Sequence, residues 1–126
     1  KASSLEINAN RKSFRELGWA LYNSNQYHKA LETFKKSVKF KPDSSAYHGM
    51  GKVLIELKIY PLAIDALKES INLEKSWQRY KDLGIAFIHS EKYSEAIVAF
   101  EKSLEINTNS DSYIGIKKAE AQLNKA

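Results

Sequence analysis

A single period constrains this chain more than any other feature. Gly18, Gly51 and Gly84 stand 33 residues apart, and the same step carries Ala30 to Ala63 to Ala96, Tyr27 to Tyr60 to Tyr93, and Ser37 to Ser70 to Ser103. Phe14, Tyr47, Tyr80 and Tyr113 fall on a further line of the same spacing. A fixed step in the range of roughly 20–50 residues, with small and aromatic residues kept in phase, marks a stacked repeat. Each unit then leans on its neighbours rather than on one central core.

Within each step the apolar residues recur three or four apart, the helical period. Residues 11–43 carry Phe14, Leu17, Gly18 and Leu21, then a break at Asn23-Ser24-Asn25, then Ala30, Leu31, Phe34, Ser37 and Val38, with Pro42 as a stop. This predicts a helix–turn–helix hairpin with both helices near 14 residues, or ~21 Å. Residues 44–76 repeat the plan with Tyr47, Met50, Gly51 and Leu54, then Ala63, Ile64, Leu67, Ile71 and Leu73. Asp43 or Ser44 can cap the first of these helices. Pro61 falls in a first turn, where its missing N–H costs little. Residues 77–109 form the third unit, with Tyr80, Leu83, Gly84 and Phe87, then Ala96, Ile97, Phe100, Leu104 and Ile106.

The in-phase glycines lie in mid-helix, where Gly costs roughly 1 kcal/mol relative to Ala. Close approach of the partner helix is the expected compensation, with Ala30, Ala63 and Ala96 opposite. Leu17, Met50 and Leu83, with Phe34, Leu67 and Phe100, are expected to fill the space beside that contact. Residues 110–126 read as a solvating cap, because Lys117 and Glu120 occupy phases that should be buried against a further helix. Residues 1–10 differ again. Ser4 to Asn10 matches Ser103 to Asn109 at six of seven places. They are expected to be the tail of a preceding repeat's second helix, and the chain a fragment of a larger protein.

With 43% apolar and 28% charged residues the chain is not of the disordered class. No apolar run approaches the ~18 residues of a membrane helix. There is no Cys, which excludes disulfides, thiolate catalysis and Cys-ligated zinc. The formal charge is +5, yet only Arg11, Arg15 and Arg79 among the basic residues are Arg. Arg is preferred where phosphate is read bidentately, so the charge reads as a Lys-rich solvated surface with some preference for an acidic partner.

Catalysis has little to stand on. No Gly-rich phosphate loop and no H-E-x-x-H motif is present. His28 reads as a solvated residue of a second helix. His48 and His89 face one groove but sit ~12 Å apart along adjacent helix axes, too far to share a metal. Asp65, Glu69, Glu95 and Glu101 read as surface carboxylates of second helices. Trp77 reads as a cover over a link between hairpins. The expectation is no enzyme, no cofactor and no metal.

These residues resemble the tetratricopeptide repeat family, whose pattern is W-x2-L-G-x2-Y, A-x3-F, P. The units read Phe14-x2-Leu17-Gly18-x2-Leu21, Ala30-x3-Phe34, Pro42; then Tyr47-x2-Met50-Gly51-x2-Leu54, Ala63-x3-Leu67, Lys75; then Tyr80-x2-Leu83-Gly84-x2-Phe87, Ala96-x3-Phe100, Thr108. The departures are a step one residue short, Pro missing from two units, and Lys58 and Glu91 where a turn Gly is common. The resemblance implies an all-α, right-handed α-α superhelix of three hairpins plus a C-terminal capping helix. It also implies a scaffold that binds a peptide or protein segment in a concave groove lined by the first helix of each hairpin.

Carried over by repeat phase, the groove positions are Lys12, Arg15, Trp19, Tyr22 and Asn23 in the first unit. In the second they are Ser45, His48, Lys52, Ile55 and Glu56, and in the third Gln78, Lys81, Ile85, Ile88 and His89. The capping helix adds Asp111, Ile114, Lys118, Ala121 and Gln122. Large apolar residues rimmed by basic ones suit a partner of acidic and apolar character, with Trp19 the first candidate for a hot spot. Some members of the family grip chaperone-tail carboxylates. Arg15 could serve one such position here, but Trp19, Gly49, Gln78 and Asp82 do not fit the others.

Nucleic acid is not the expected partner: Lys35, Lys36, Lys39 and Lys41 cluster without an aromatic platform. It stays open as an alternative, as does self-association through the N-terminal end. The chain is expected to be soluble and cytoplasmic.

Overall fold

The computed structural model describes residues 4–125, with side chains from Asn10 onward. The described residues form seven helices and no strand: α1 (Ser4–Asn23), α2 (Tyr27–Phe40), α3 (Ser44–Glu56), α4 (Tyr60–Leu73), α5 (Trp77–His89), α6 (Tyr93–Ile106) and α7 (Ser110–Leu123). They make an all-α superhelix of three hairpins, α1–α2, α3–α4 and α5–α6, closed by α7. α1 is longer than the ~14 residues expected, and it runs unbroken through Asn10, which shares the phase of the helix caps Asp43, Ser76 and Asn109. Of the segment 1–10, residues 1–3 lie outside the described residues; residues 4–10 are continuous with α1.

Each hairpin turns through one left-handed residue, Asn25 (φ 63°), Lys58 (φ 63°) and Glu91 (φ 59°). In the second turn Ile59 N donates to Leu54 O at 2.8 Å and Lys58 N to Ile55 O at 2.9 Å. This is the Schellman pairing that ends a helix. Asn tolerates that conformation, but Lys58 and Glu91 carry a Cβ penalty of about 1–2 kcal/mol.

The next helix starts on a side-chain cap. Asp43 accepts from Ser45 N and Ala46 N, Ser76 Oγ from Arg79 N, and Asn109 Oδ1 from Ser112 N. Each satisfies backbone donors left over at a helix start.

One repeated hydrogen bond ties each hairpin shut. Ser37, Ser70 and Ser103 are fully buried, and their hydroxyls donate to the carbonyls of Arg11 (2.9 Å), Ser44 (2.6 Å) and Trp77 (2.8 Å). In the second and third hairpins this acceptor is the first residue of the first helix, so the second helix overhangs its partner beyond the Ser. Leu73 and Ile106 lie in that overhang and are 47% and 49% exposed, not packed as expected. In the first hairpin the longer α1 supplies cover, and Phe14 stacks on Phe40 with centroids 5.9 Å apart.

The side chain nearest each of these glycines is not the alanine. A Cβ on Gly18 would lie 2.6 Å from Phe34 Cε1, one on Gly51 2.5 Å from Leu67 Cγ, and one on Gly84 2.7 Å from Phe100 Cε1. Each Gly is a recess for the largest fully buried side chain of the facing helix, and Ala30, Ala63 and Ala96 are also buried on it. A second correction concerns Leu17, which is 49% exposed. Its counterparts Met50 and Leu83 are covered by the preceding second helix, and no such helix precedes α1 among the described residues. Tyr113 is 55% exposed for the converse reason: among the described residues no second helix follows α7. Lys117 and Glu120 face solvent and pair at 3.8 Å.

Candidate functional site

First helices pack on first helices, α1 on α3, α3 on α5 and α5 on α7. Among the described residues no second helix meets another. A close inner layer and a splayed outer layer bend the stack, and the inner layer lines the concave face.

Arg15, Trp19, Tyr22, His48, Lys52, Ile55, Lys81, Ile85 and Ile88 are half-buried there. Lys12, Asn23, Glu56, Gln78, His89, Ile114 and Lys118 are exposed. The two histidines are not brought together. His48 turns inward to Asp82, whereas His89 stacks on Tyr60 with ring centroids 4.8 Å apart. No group of three or more His, Asp or Glu able to hold a metal ion occurs among the described residues.

Three of the five basic groove residues, Arg15, Lys52 and Lys81, already hold carboxylates. Arg15 Nη1 donates to Asp43 Oδ2 at 2.8 Å. Lys52 Nζ lies 3.5 Å from Asp82 Oδ2 and Lys81 Nζ 3.9 Å from Asp82 Oδ1 and 3.7 Å from Asp111 Oδ2. His48 Nε2 meets Asp82 Oδ2 at 2.6 Å.

Asp82 is the centre of this network and is only 3% exposed. Burial pushes its carboxyl up, but the His48 hydrogen bond and the charges of Lys52, His48 and Lys81 outweigh it and hold the carboxyl below the ordinary Asp value. Tyr22, beside Lys52 at 5.8 Å, is pushed up by burial first, then by the charges of Glu56, Tyr27 and Asp82.

Sequence reasoning treated Asp82 only as a misfit to a carboxylate grip. The signal for its role lay in the register. Its counterparts one step back and one step on are Gly49 and Gly115. Both glycines press on a phenylalanine ring, Phe34 and Phe100, and leave no room for a Cβ. The corresponding core residue of the middle unit is Leu67, so a smaller core side chain coincides with a larger groove side chain.

The two ends of the groove differ. At the first unit Trp19 sits edge-on to Phe34 (5.3 Å between centroids) and donates Nε1 to Ser45 Oγ at 3.0 Å. Between α5 and α7 a cavity of 360 Å³ opens on Phe100, walled by Ile85, Ile88 and Ile114. A smaller cleft of 120 Å³ lies between them, over Tyr22, Lys52, Ile55 and Asp82. The convex side has two seams between successive second helices, of 510 Å³ over Tyr47, Met50 and Leu54 and 370 Å³ over Tyr80, Leu83 and Phe87. They follow from the splayed outer layer.

These features define a superhelical array of helical hairpins with a lined inner face. A family model described as tetratricopeptide repeat matches residues 16–44 and 80–110. The first and third hairpins thus carry tetratricopeptide repeats. The region between the two matches holds Leu67 and Lys75, where the first unit has Phe34 and Pro42.

Among solved structures, the first tetratricopeptide domain of Spaghetti (RPAP3) bound to the HSP90 peptide SRMEEVD is similar, with a TM-score of 0.88 and 19% identity over 92% of this chain and 94% of that one. The Arabidopsis OM64 tetratricopeptide domain is similar at TM-score 0.88 and 19% identity, over 92% and 98%. MamA is similar at TM-score 0.83 and 26% identity, over 87% of this chain and 62% of that one. A search of curated protein sequences finds no significant match.

Proposed function

We propose that the concave face holds a segment of another protein, and that the chain is a recruitment scaffold rather than an enzyme. The observation that carries this is the band of half-buried apolar side chains crossing the first helices, Trp19, Tyr22, Ile55, Ile85 and Ile88, interrupted by the Asp82 network. Apolar surface with a few converging polar groups is the usual make-up of a binding site. The similar RPAP3 structure holds a peptide, which supports a peptide as the occupant here.

The internal ion pairs refine the partner. Arg15, Lys52 and Lys81 already meet Asp43, Asp82 and Asp111. An acidic tail would have to displace these carboxylates. The groove therefore favours an apolar segment, and acidic character is secondary.

Trp19 is a poor test residue, because it packs on Phe34 and its loss would disturb the fold. Peptides selected by display against this chain should lose roughly tenfold in affinity on Ile88→Ser, about 1.4 kcal/mol, and none on Leu62→Ser in the convex seam. The opposite pattern would move the site to the convex side. A steep fall in affinity with salt would instead point to phosphate-driven binding.

A further inference from the structure

The groove contains its own template for an occupant. Phe34 and Phe100 are buried at matching places in α2 and α6, and each ring is faced by two glycines, Gly18 and Gly49 or Gly84 and Gly115. Over Phe34 the chain lays its own indole. Trp19 meets the Phe34 ring edge-on at 77°, with Tyr22 and His48 flanking it at 5.8 Å each, and Nε1 bonded to Ser45 Oγ.

Two steps along the repeat, 66 residues on, Trp19 becomes Ile85, Tyr22 becomes Ile88, His48 becomes Ile114 and Ser45 becomes Asp111. The same frame thus recurs over Phe100 with three isoleucines, His89 and Lys118 around it and no indole, and the space is a 360 Å³ cavity. An acceptor is still present where the indole N–H would point: Asp111 lines this cavity, and Lys81 Nζ lies 3.7 Å from its Oδ2.

We propose that this cavity takes an aromatic side chain of the groove-bound segment, an indole above all, seated against Phe100 with its N–H donated to Asp111. This rests on the concave-groove reading and names its anchor. An aliphatic side chain fills the walls but gives Asp111 nothing. An acidic one meets Lys118 at the cavity but also the like charge of Asp111, and it leaves the isoleucine walls unfilled. An aromatic ring against a ring edge, with its donor satisfied, repeats a contact this chain already makes.

The test needs no partner. N-acetyl-L-tryptophanamide is titrated into the 126-residue chain with ¹³C-labelled isoleucine methyls observed by NMR. Saturable shifts are expected at Ile85, Ile88 and Ile114. N-acetyl-L-phenylalaninamide, which lacks the ring N–H, is expected to bind about fivefold more weakly, the worth of one hydrogen bond. Asp111→Ala should erase that gap, and Ile85→Trp, which copies Trp19 into the cavity, should abolish probe binding.

Shifts confined to Ile59 of the first convex seam, no saturable shift at the three groove positions, or equal affinities for the two amides would each overturn the proposal. The wild-type titration decides even if a variant fails to fold. Display-selected peptides that bind through the groove without an aromatic at this cavity would remove the anchor and leave the groove. Peptide binding lost through the convex variants would remove both.

Discussion

Phe34 and Phe100 hold the same place in the first and third hairpins and both are buried, yet the groove above one is filled by the chain's own indole and the groove above the other holds a cavity. The backbone frame is shared: glycines on both sides, the same buried serine behind, the same turn at the far end. What differs is a handful of inner-face positions, Trp19 against Ile85 and His48 against Ile114. A repeat can thus hold its packing within each hairpin constant and let the groove diverge, because the recurring glycine and serine contacts that close the hairpins do not use these inner-face positions. The middle unit is a third version, with Leu67 in the core and Asp82 filling the site that glycine holds on either side.

The largest expected effect tests the roof. Phe34→Ala and Phe100→Ala should each cost about 3–5 kcal/mol by urea denaturation, with Phe34 the costlier because Trp19 loses its seat. Equal losses would mean that the indole adds nothing to the first site.

Next is the joint between the second and third units. Asp82→Ala should cost about 2–3 kcal/mol, since it leaves His48 and Lys52 without a buried partner. Its folded carboxyl lies below the ordinary value of 3.8. Its contribution is therefore full above that value and fades as pH falls through the folded one. The stability gap between wild type and Asp82→Asn should be flat above about pH 5 and narrow below about pH 4; a gap that widens on acidification would contradict the assignment.

Leu67→Phe should cost about 1–3 kcal/mol through overpacking. Combined with Asp82→Gly it would recreate the flanking pattern, so a double-mutant cycle should return a favourable coupling near 1 kcal/mol. Simple additivity would separate the core from the groove.

The smallest effect compares the turns. Lys58→Gly and Glu91→Gly should each raise stability by about 0.5–1 kcal/mol by relieving left-handed backbone. Asn25→Gly should change it less, and equal gains at all three would show that Asn receives no local benefit there.

Much of this was legible in the chain. The 33-residue step placed the hairpins, Asn25 announced a turn, and Lys117 with Glu120 announced a solvated last helix. The glycines were visible, but their partners were not. Spacing says that a small residue is needed at Gly18, not whether an alanine or a phenylalanine ring comes to meet it. Leu73 and Ile106 had the right period to be packed, yet the offset between paired helices leaves them overhanging.

The inner face was legible as positions and not as states. Register alone put Arg15, Lys52 and Lys81 in the groove. Only the assembled stack shows that Asp43, Asp82 and Asp111 are already bound to them. Local sequence determined the helices, the turns and the repeat, because each depends on residues a few places apart. Tertiary structure decided which side chain fills each recess and which charges are spoken for, because those contacts join residues about 15 to 34 apart across different helices. Their distances depend on how one hairpin is seated on the next.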